Sequence, residues 1–298
     1  MRVAVFGMGN MGRAFAARAL ETGHQVTVWN RTPNRAADLI SSGAVEARSP
    51  KEALADSDVV LMVLADDEAV LSVCLGEHGV LNALPAGATL AIVSTVSPDT
   101  VRQVAEVAPE GAVLDAPVMG SPSAIAGGMG SFLIGGPSSS VTGLDALWSD
   151  LGAGYRYCGP VGSGATMKLV SNLLLITGVA ALAEAIATAR HHGIPDDLLK
   201  TLFAESFVVS PASKVRLESL FDEAHPGWFT PALARKDVRL AVGLADHADI
   251  EVRIGPATDT LLSAVIDTGL AWSDFSAVIE ALNPQYRDRA PVGLPGVA

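Results

Sequence analysis

The sequence predicts an α/β protein: an N-terminal doubly wound parallel sheet, then an all-α domain, joined by a long interdomain helix. Three observations carry this. Short valine-rich runs alternate with helix-period segments through the first half, strand signals stop after Gly164, and the pattern then stays helical almost to the end.

Strands are expected in "VAVF" (3–6), "QVTVW" (25–29), "DVVLMVL" (58–64), "ATLAIVST" (88–95) and "AVLDAPV" (112–118). Continuous apolar strands separated by helices read as a parallel sheet covered on both faces. "SFLIGG" (131–136) and "GYRYCGP" (154–160) extend that sheet. Helices are expected over roughly 164–192, 195–206, 211–221, 230–248, 254–268 and 273–282, with Gly193-Ile194-Pro195 and Gly255-Pro256 as breaks. The domain border falls near residue 162, giving domains 1–162 and 163–298. The tail "NPQYRDRAPVGLPGVA" reads as a loosely held extension.

With 298 residues, 49% hydrophobic and 17% charged, the chain can bury two substantial cores. Its net charge of −12 and scattered basic residues argue against nucleic acid as a partner. Cys74 and Cys158 form no CxxC, so a reducing cytoplasm is the expected compartment, with both read as small buried hydrophobes. The N-terminal apolar run is too short for a secretory signal. Residues 165–189 are the best membrane candidate, but Ser171, Asn172 and Thr177 inside it point to a helix buried in protein. Such a helix leaves apolar surface on a lone chain, so a second subunit is expected to cover part of it.

In "VAVFGMGNMGRAFAARAL" a GxGxxG follows a strand and opens a helix. That is the setting a Rossmann dinucleotide site requires. Gly7 allows the tight turn, Gly9 lets backbone approach a pyrophosphate, and Gly12 allows close helix packing. About 20 residues on, where an NAD site offers an acid to the ribose, the chain reads "VWNRTPNR". Asn30, Arg31, Thr32 and Arg35 suit a 2′-phosphate, so NADP (NADPH) is the expected cofactor. The alternative for Arg31 is a solvated loop arginine.

"GMGNMG", "VWNRT", "DAPVMGSP", "GSGATMKLVSN" and "ARKDVRLA", in this order, resemble the β-hydroxyacid dehydrogenase family. It includes 3-hydroxyisobutyrate dehydrogenases and semialdehyde reductases, with imine reductases as relatives. The resemblance implies a first domain of the 6-phosphogluconate dehydrogenase NAD-binding type. It also implies pairing through the helical parts, as a homodimer or dimer of dimers, and a cleft active site. Gly162, Gly164, Lys168 and Asn172 fall on the family's G-x-G-x-x-x-K-x-x-x-N pattern, which makes Lys168 the catalytic proton donor. Independently, i and i+4 put Lys168 and Asn172 on one helical face. Burial and a nearby nicotinamide would lower the lysine pKa. The competing readings are a snorkelling lysine and, for Asn172, a capping or helix–helix bond.

The resemblance further implies that Gly7, Met8, Gly9, Asn10, Met11 and Gly12, with Leu64 and Ala65, line the cofactor. Thr95 and Lys236 would face cofactor and substrate. Thr95 could instead start a helix, and Lys236 could form a surface ion pair with Asp237. Met119, with Gly120 and Ser121 beside it in the substrate pocket, stands where the hydroxyacid enzymes carry a carboxylate-binding serine; Ser121 is its expected substitute. The change suits a bulkier, less polar substrate. Reduction of an aldehyde or keto acid is therefore the first reading and imine reduction the second. A nucleotide sensor with a dead site would have lost Lys168 or Asn172. No metal-ligand spacing and no GxSxG support other chemistries.

Overall fold

The computed structural model describes residues 1–77 and 79–282, so the expected tail lies outside the described residues. The chain divides into two compact units, the first Met1–Lys168 and the second starting at Leu169.

The first unit runs β1 (Arg2–Phe6), α1 (Asn10–Glu21), β2 (Gln25–Trp29), α2 (Ala37–Ser41), β3 (Val45–Glu46), α3 (Pro50–Leu54), β4 (Val59–Met62), α4 (Asp67–Leu75), β5 (Thr89–Ile92) and α5 (Pro98–Val107). It continues through β6 (Val113–Asp115), β7 (Val118–Met119), α6 (Pro122–Ala126), β8 (Ser131–Gly135), α7 (Ser138–Thr142), α8 (Asp145–Leu151) and β9 (Tyr155–Gly159). The sheet order is β3-β2-β1-β4-β5-β6-β8-β7, with β9 paired to β8. From β3 to β6 every pair is parallel. Successive residues of β1 serve opposite cores: Val3 and Val5 pack with Phe15 and Val28, while Ala4 and Phe6 pack with Val60 and Ile92. Two buried faces explain why the strands read as unbroken apolar runs.

Three expectations change here. β3 and β7 are too short to show a period, and the "AVLDAPV" run breaks after Asp115, because Pro117 has no N–H for a ladder. β8 runs antiparallel to β6 and β7, so the sheet is mixed.

The helix α9 (Ser163–His191) begins in the first unit and continues into the second. There follow α10 (Asp196–Glu205), α11 (Pro211–Lys214), α12 (Pro231–Asp246) and α13 (Ile254–Asp267). Ile176, Val179, Ala183 and Ile186 recur at helical spacing and pack with Val238, Leu262, Val265 and Phe275. Among the described residues α9 is the one helix long and apolar enough to cross a membrane. Its packed stripe and buried Asn172 are those of a core helix.

Two expected helices do not form. Residues 211–221 give α11 and a 3-10 turn at Glu218–Leu220, and 273–282 give 3-10 turns over Phe275–Leu282. Between them Arg216 is buried, lies over the Trp228 and Phe275 rings, and donates from Nε to Asp274 Oδ1 at 3.1 Å. A buried ion pair that also serves the Phe229 amide fixes this chain path against the local period.

Candidate active site

At the end of β1 the three glycines behave differently. Gly7 has φ +96°, and a Cβ there would overlap the Val63 carbonyl oxygen; a Cβ on Gly12 would overlap the Gly7 carbonyl oxygen. A Cβ on Gly9 would meet nothing within 4 Å. The first glycine thus packs the turn against the backbone that follows β4, the third closes the turn on its own backbone, and the second faces open space. Gly9 is the N-cap of α1, with no side-chain cap and no acid in the first turn. Amides at that end are left to an outside acceptor, which a pyrophosphate fits.

Around this turn the sequence-named residues have definite positions. Asn30 Oδ1 accepts from the Met8 amide at 3.0 Å, and its Nδ2 donates to the Thr32 carbonyl at 2.7 Å, so its side chain braces the loop. Arg31, Thr32 and Arg35 are exposed beyond β2. Arg13, which the motif does not single out, donates to the Arg35 carbonyl and pairs with Asp38, holding the latter's carboxyl below the usual range. Leu64 lies against Gly7, and its amide donates to Ser94 Oγ at 2.7 Å; Ala65 follows, exposed. Ser94, buried between β4 and β5, positions this edge, and a hydroxyl closing an apolar strand was its only signal.

Thr95 is half-buried, and Ser97 caps α5, so starting that helix is not the work of Thr95. Met119 sits on β7, 47% exposed, and Gly120 has φ +151°. Ser121 is the N-cap of α6: its Oγ accepts from Ala124 N at 3.1 Å and lies 2.8 Å from Ser123 Oγ.

Lys168 is half-buried on α9 rather than sealed in a core. In the second unit Asn172 is buried and its Nδ2 donates to Asp237 Oδ2 at 2.6 Å, the helix–helix bond of α9 with α12. Lys236 Nζ pairs with Asp237 Oδ1 at 2.9 Å. The alternative reading of Lys236, an ion pair with Asp237, is the contact found, but Asp237 is only 2% exposed, so the pair does not lie on the surface. Asp237 thereby gathers two of the named residues. The signal for it was an acid on the apolar stripe of α12, between Ala234 and Val238.

The profile described as the NAD binding domain of 6-phosphogluconate dehydrogenase matches residues 2–159. That described as the NAD-binding of NADP-dependent 3-hydroxyisobutyrate dehydrogenase matches residues 162–282. Glyoxylate/succinic semialdehyde reductase 2, chloroplastic, of Arabidopsis thaliana is 32% identical over 94% of this chain and 79% of its own length. The solved structure of Mycobacterium tuberculosis 3-hydroxyisobutyrate dehydrogenase with L-serine is 26% identical, covering 94% of this chain and 98% of that one, with TM-score 0.83. An imine reductase from Pseudomonas sp. shares the fold at 21% identity over 95% and 99% of the two chains, with TM-score 0.61.

Proposed function

Because this chain belongs to the hydroxyacid dehydrogenase family of 3-hydroxyisobutyrate dehydrogenases and semialdehyde reductases, and is an NAD(P)-dependent oxidoreductase, we propose that it reduces a small aldehyde or keto-acid carbonyl with NADPH, or oxidises the matching hydroxyacid. The observation that carries this reading is the α9 pair: Lys168 and Asn172 on one face, with Asn172 braced by Asp237. When bound, the nicotinamide cofactor supplies the hydride for the carbonyl carbon. Lys168 donates its ammonium proton to the oxygen as negative charge develops there, and Ser121 and Thr95 orient the substrate. The uncapped α1 start and open Gly9 hold the pyrophosphate.

NADPH is preferred because Arg31 and Arg35 stand at the end of β2 where an acid would repel the 2′-phosphate. The protein works as a homodimer or dimer of dimers: Leu174, Phe207, Val215, Ile254 and Trp272 of the second unit are exposed, Phe207 97% so. Light scattering at a multiple of 30.6 kDa checks this, and a monomer at micromolar concentration refutes it.

Met119 favours a second reading, imine reduction. An iminium arrives protonated and needs no acid, and an exposed thioether replaces a polar carboxylate ligand. One experiment separates the two. Semialdehydes, keto acids and cyclic imines are assayed with NADPH, using wild type and Lys168→Ala. Carbonyl turnover should fall about a hundredfold or more in the variant, with NADPH affinity retained. Undiminished carbonyl turnover in Lys168→Ala overturns the mechanism.

A further inference from the structure

The start of α9 is held by the acid that opens the DAPVMGSP motif, a residue to which the sequence reading gave no role. Asp115, the last residue of β6, is wholly buried. Its Oδ1 accepts from the Gly162 amide at 2.9 Å and its Oδ2 from the Ala165 amide at 2.7 Å. Burial pushes the carboxyl above its usual range, and the amides of Gly162, Ala165 and Gly164 work against that rise. Of the other titratable groups near this end, Cys158 faces the carboxylate, while Arg102 packs on Gly162 with its guanidinium committed to Asp99 at 2.6 Å.

The glycines around it are explained by the same carboxylate. A Cβ on Gly164 would overlap the Leu133 carbonyl and stand 3.0 Å from Asp115 Oδ2; one on Gly135 would stand 2.5 Å from Oδ1. Gly162 has φ +93°. The G-x-G before the lysine therefore lets the first turn of the helix sit directly on the strand. An ordinary N-cap comes from the residue that opens the helix and secures the helix only to itself. Asp115 lies 47 and 50 positions from its partners and secures the helix to the sheet.

We propose that Asp115 is a positioning residue for Lys168, fixing the rotation and depth of the α9 start so that the lysine three residues past Ala165 is delivered to one place. This rests on the reading of Lys168 as proton donor. A helix turns about 100° and rises about 1.5 Å per residue, so a one-residue slip of its start would swing Lys168 off its face. A misplacement of about 1 Å costs on the order of a hundredfold in rate. The carboxylate also satisfies amides at the positive end of a 29-residue helix.

The test is Asp115→Asn, which keeps the shape but turns an NH2 toward one of the two amides. We expect kcat to fall about tenfold to a hundredfold, with KM and NADPH affinity within about twofold and a larger solvent isotope effect on kcat, since proton delivery is what is lost. In the cofactor-free protein the Gly162 and Ala165 amides should exchange faster than in wild type. The loss should vanish in a Lys168→Ala background, because the two changes act through one group. The same fractional loss there means that Asp115 acts through the fold alone, which overturns the proposal. Wild-type kcat in Asp115→Asn overturns it too, whereas an active Lys168→Ala removes the lysine reading itself. Should Asp115→Asn fail to fold, exchange in the wild-type protein decides: Gly162 and Ala165 amides must be as protected as the α9 interior, and the fast exchange of a frayed helix end sinks the idea.

Discussion

In the first unit, the groups at the end of β1 are assembled by sequence neighbours: three glycines within six positions, a strand before them and a helix after. In the second, Asn172 and Asp237 come together across 65 positions, and Lys236 joins them because it precedes Asp237. One site is made of backbone and the other of side chains. The backbone site depends on what is missing at three Cβ positions, so methyl groups test it. The side-chain site depends on charge and hydrogen-bond partners, so changes that keep volume and remove a charge or a proton test it.

The largest contrast is expected within the glycines. Gly12→Ala puts a methyl into the Gly7 carbonyl and should cost about 3 kcal/mol or more, enough to unfold a marginal domain. Gly9→Ala meets nothing, and the backbone at φ −77°, ψ −174° suits any residue, so the melting temperature should stay near wild type. NADPH affinity should nevertheless fall about tenfold or more, because the methyl stands where the pyrophosphate approaches. Thermal melts with NADPH titration check both; a Gly9→Ala protein that binds NADPH normally would remove the pyrophosphate from this turn.

A smaller effect is expected at the end of β2. Arg31→Ala deletes a guanidinium and leaves the fold untouched, because among the described residues Arg31 makes no ion pair. The NADPH preference, expected to exceed tenfold in kcat/KM, should shrink to a few-fold while NADH activity is unchanged. Measuring both cofactors on both proteins checks it, and a wild type that prefers NADH ends the argument.

What the sequence made legible follows the same division. β2 falls on residues 25–29 and α9 within one residue of its expected ends, because two-sided burial and a 29-residue apolar stretch leave strong periodic signals. The glycine turn was legible because its mechanics are local. Asp115 and Asp237 were not, since a carboxylate in an apolar run says only that something must satisfy it. Its partners are set by tertiary packing. The helices expected over 211–221 and 273–282 failed for a similar reason, the Arg216–Asp274 pair lying 58 positions apart.

The smallest predicted effect belongs to the second unit. His225 is buried, its Nδ1 lies 2.8 Å from the Ser219 carbonyl, and its Nε2 lies 3.1 Å from Glu280 Oε1. Both neighbours are acceptors, so only the doubly protonated ring satisfies both. Burial opposes that charge, but the bonds to Glu280 and to Ser219, with Asp222 nearby, outweigh it and raise the pKa above 6.5. A group whose folded pKa is raised contributes stability that is whole below the unfolded value and is lost as pH climbs through the folded one. The second unit should therefore melt at a lower temperature at pH 8 than at pH 6, by on the order of 2 °C. His225→Gln carries its donors on a single nitrogen, where the ring offers one N–H to each acceptor, and it has no charge, so it should be less stable at pH 6 and should flatten the pH dependence of the melt. A slope unchanged in His225→Gln would assign the pH response to another group.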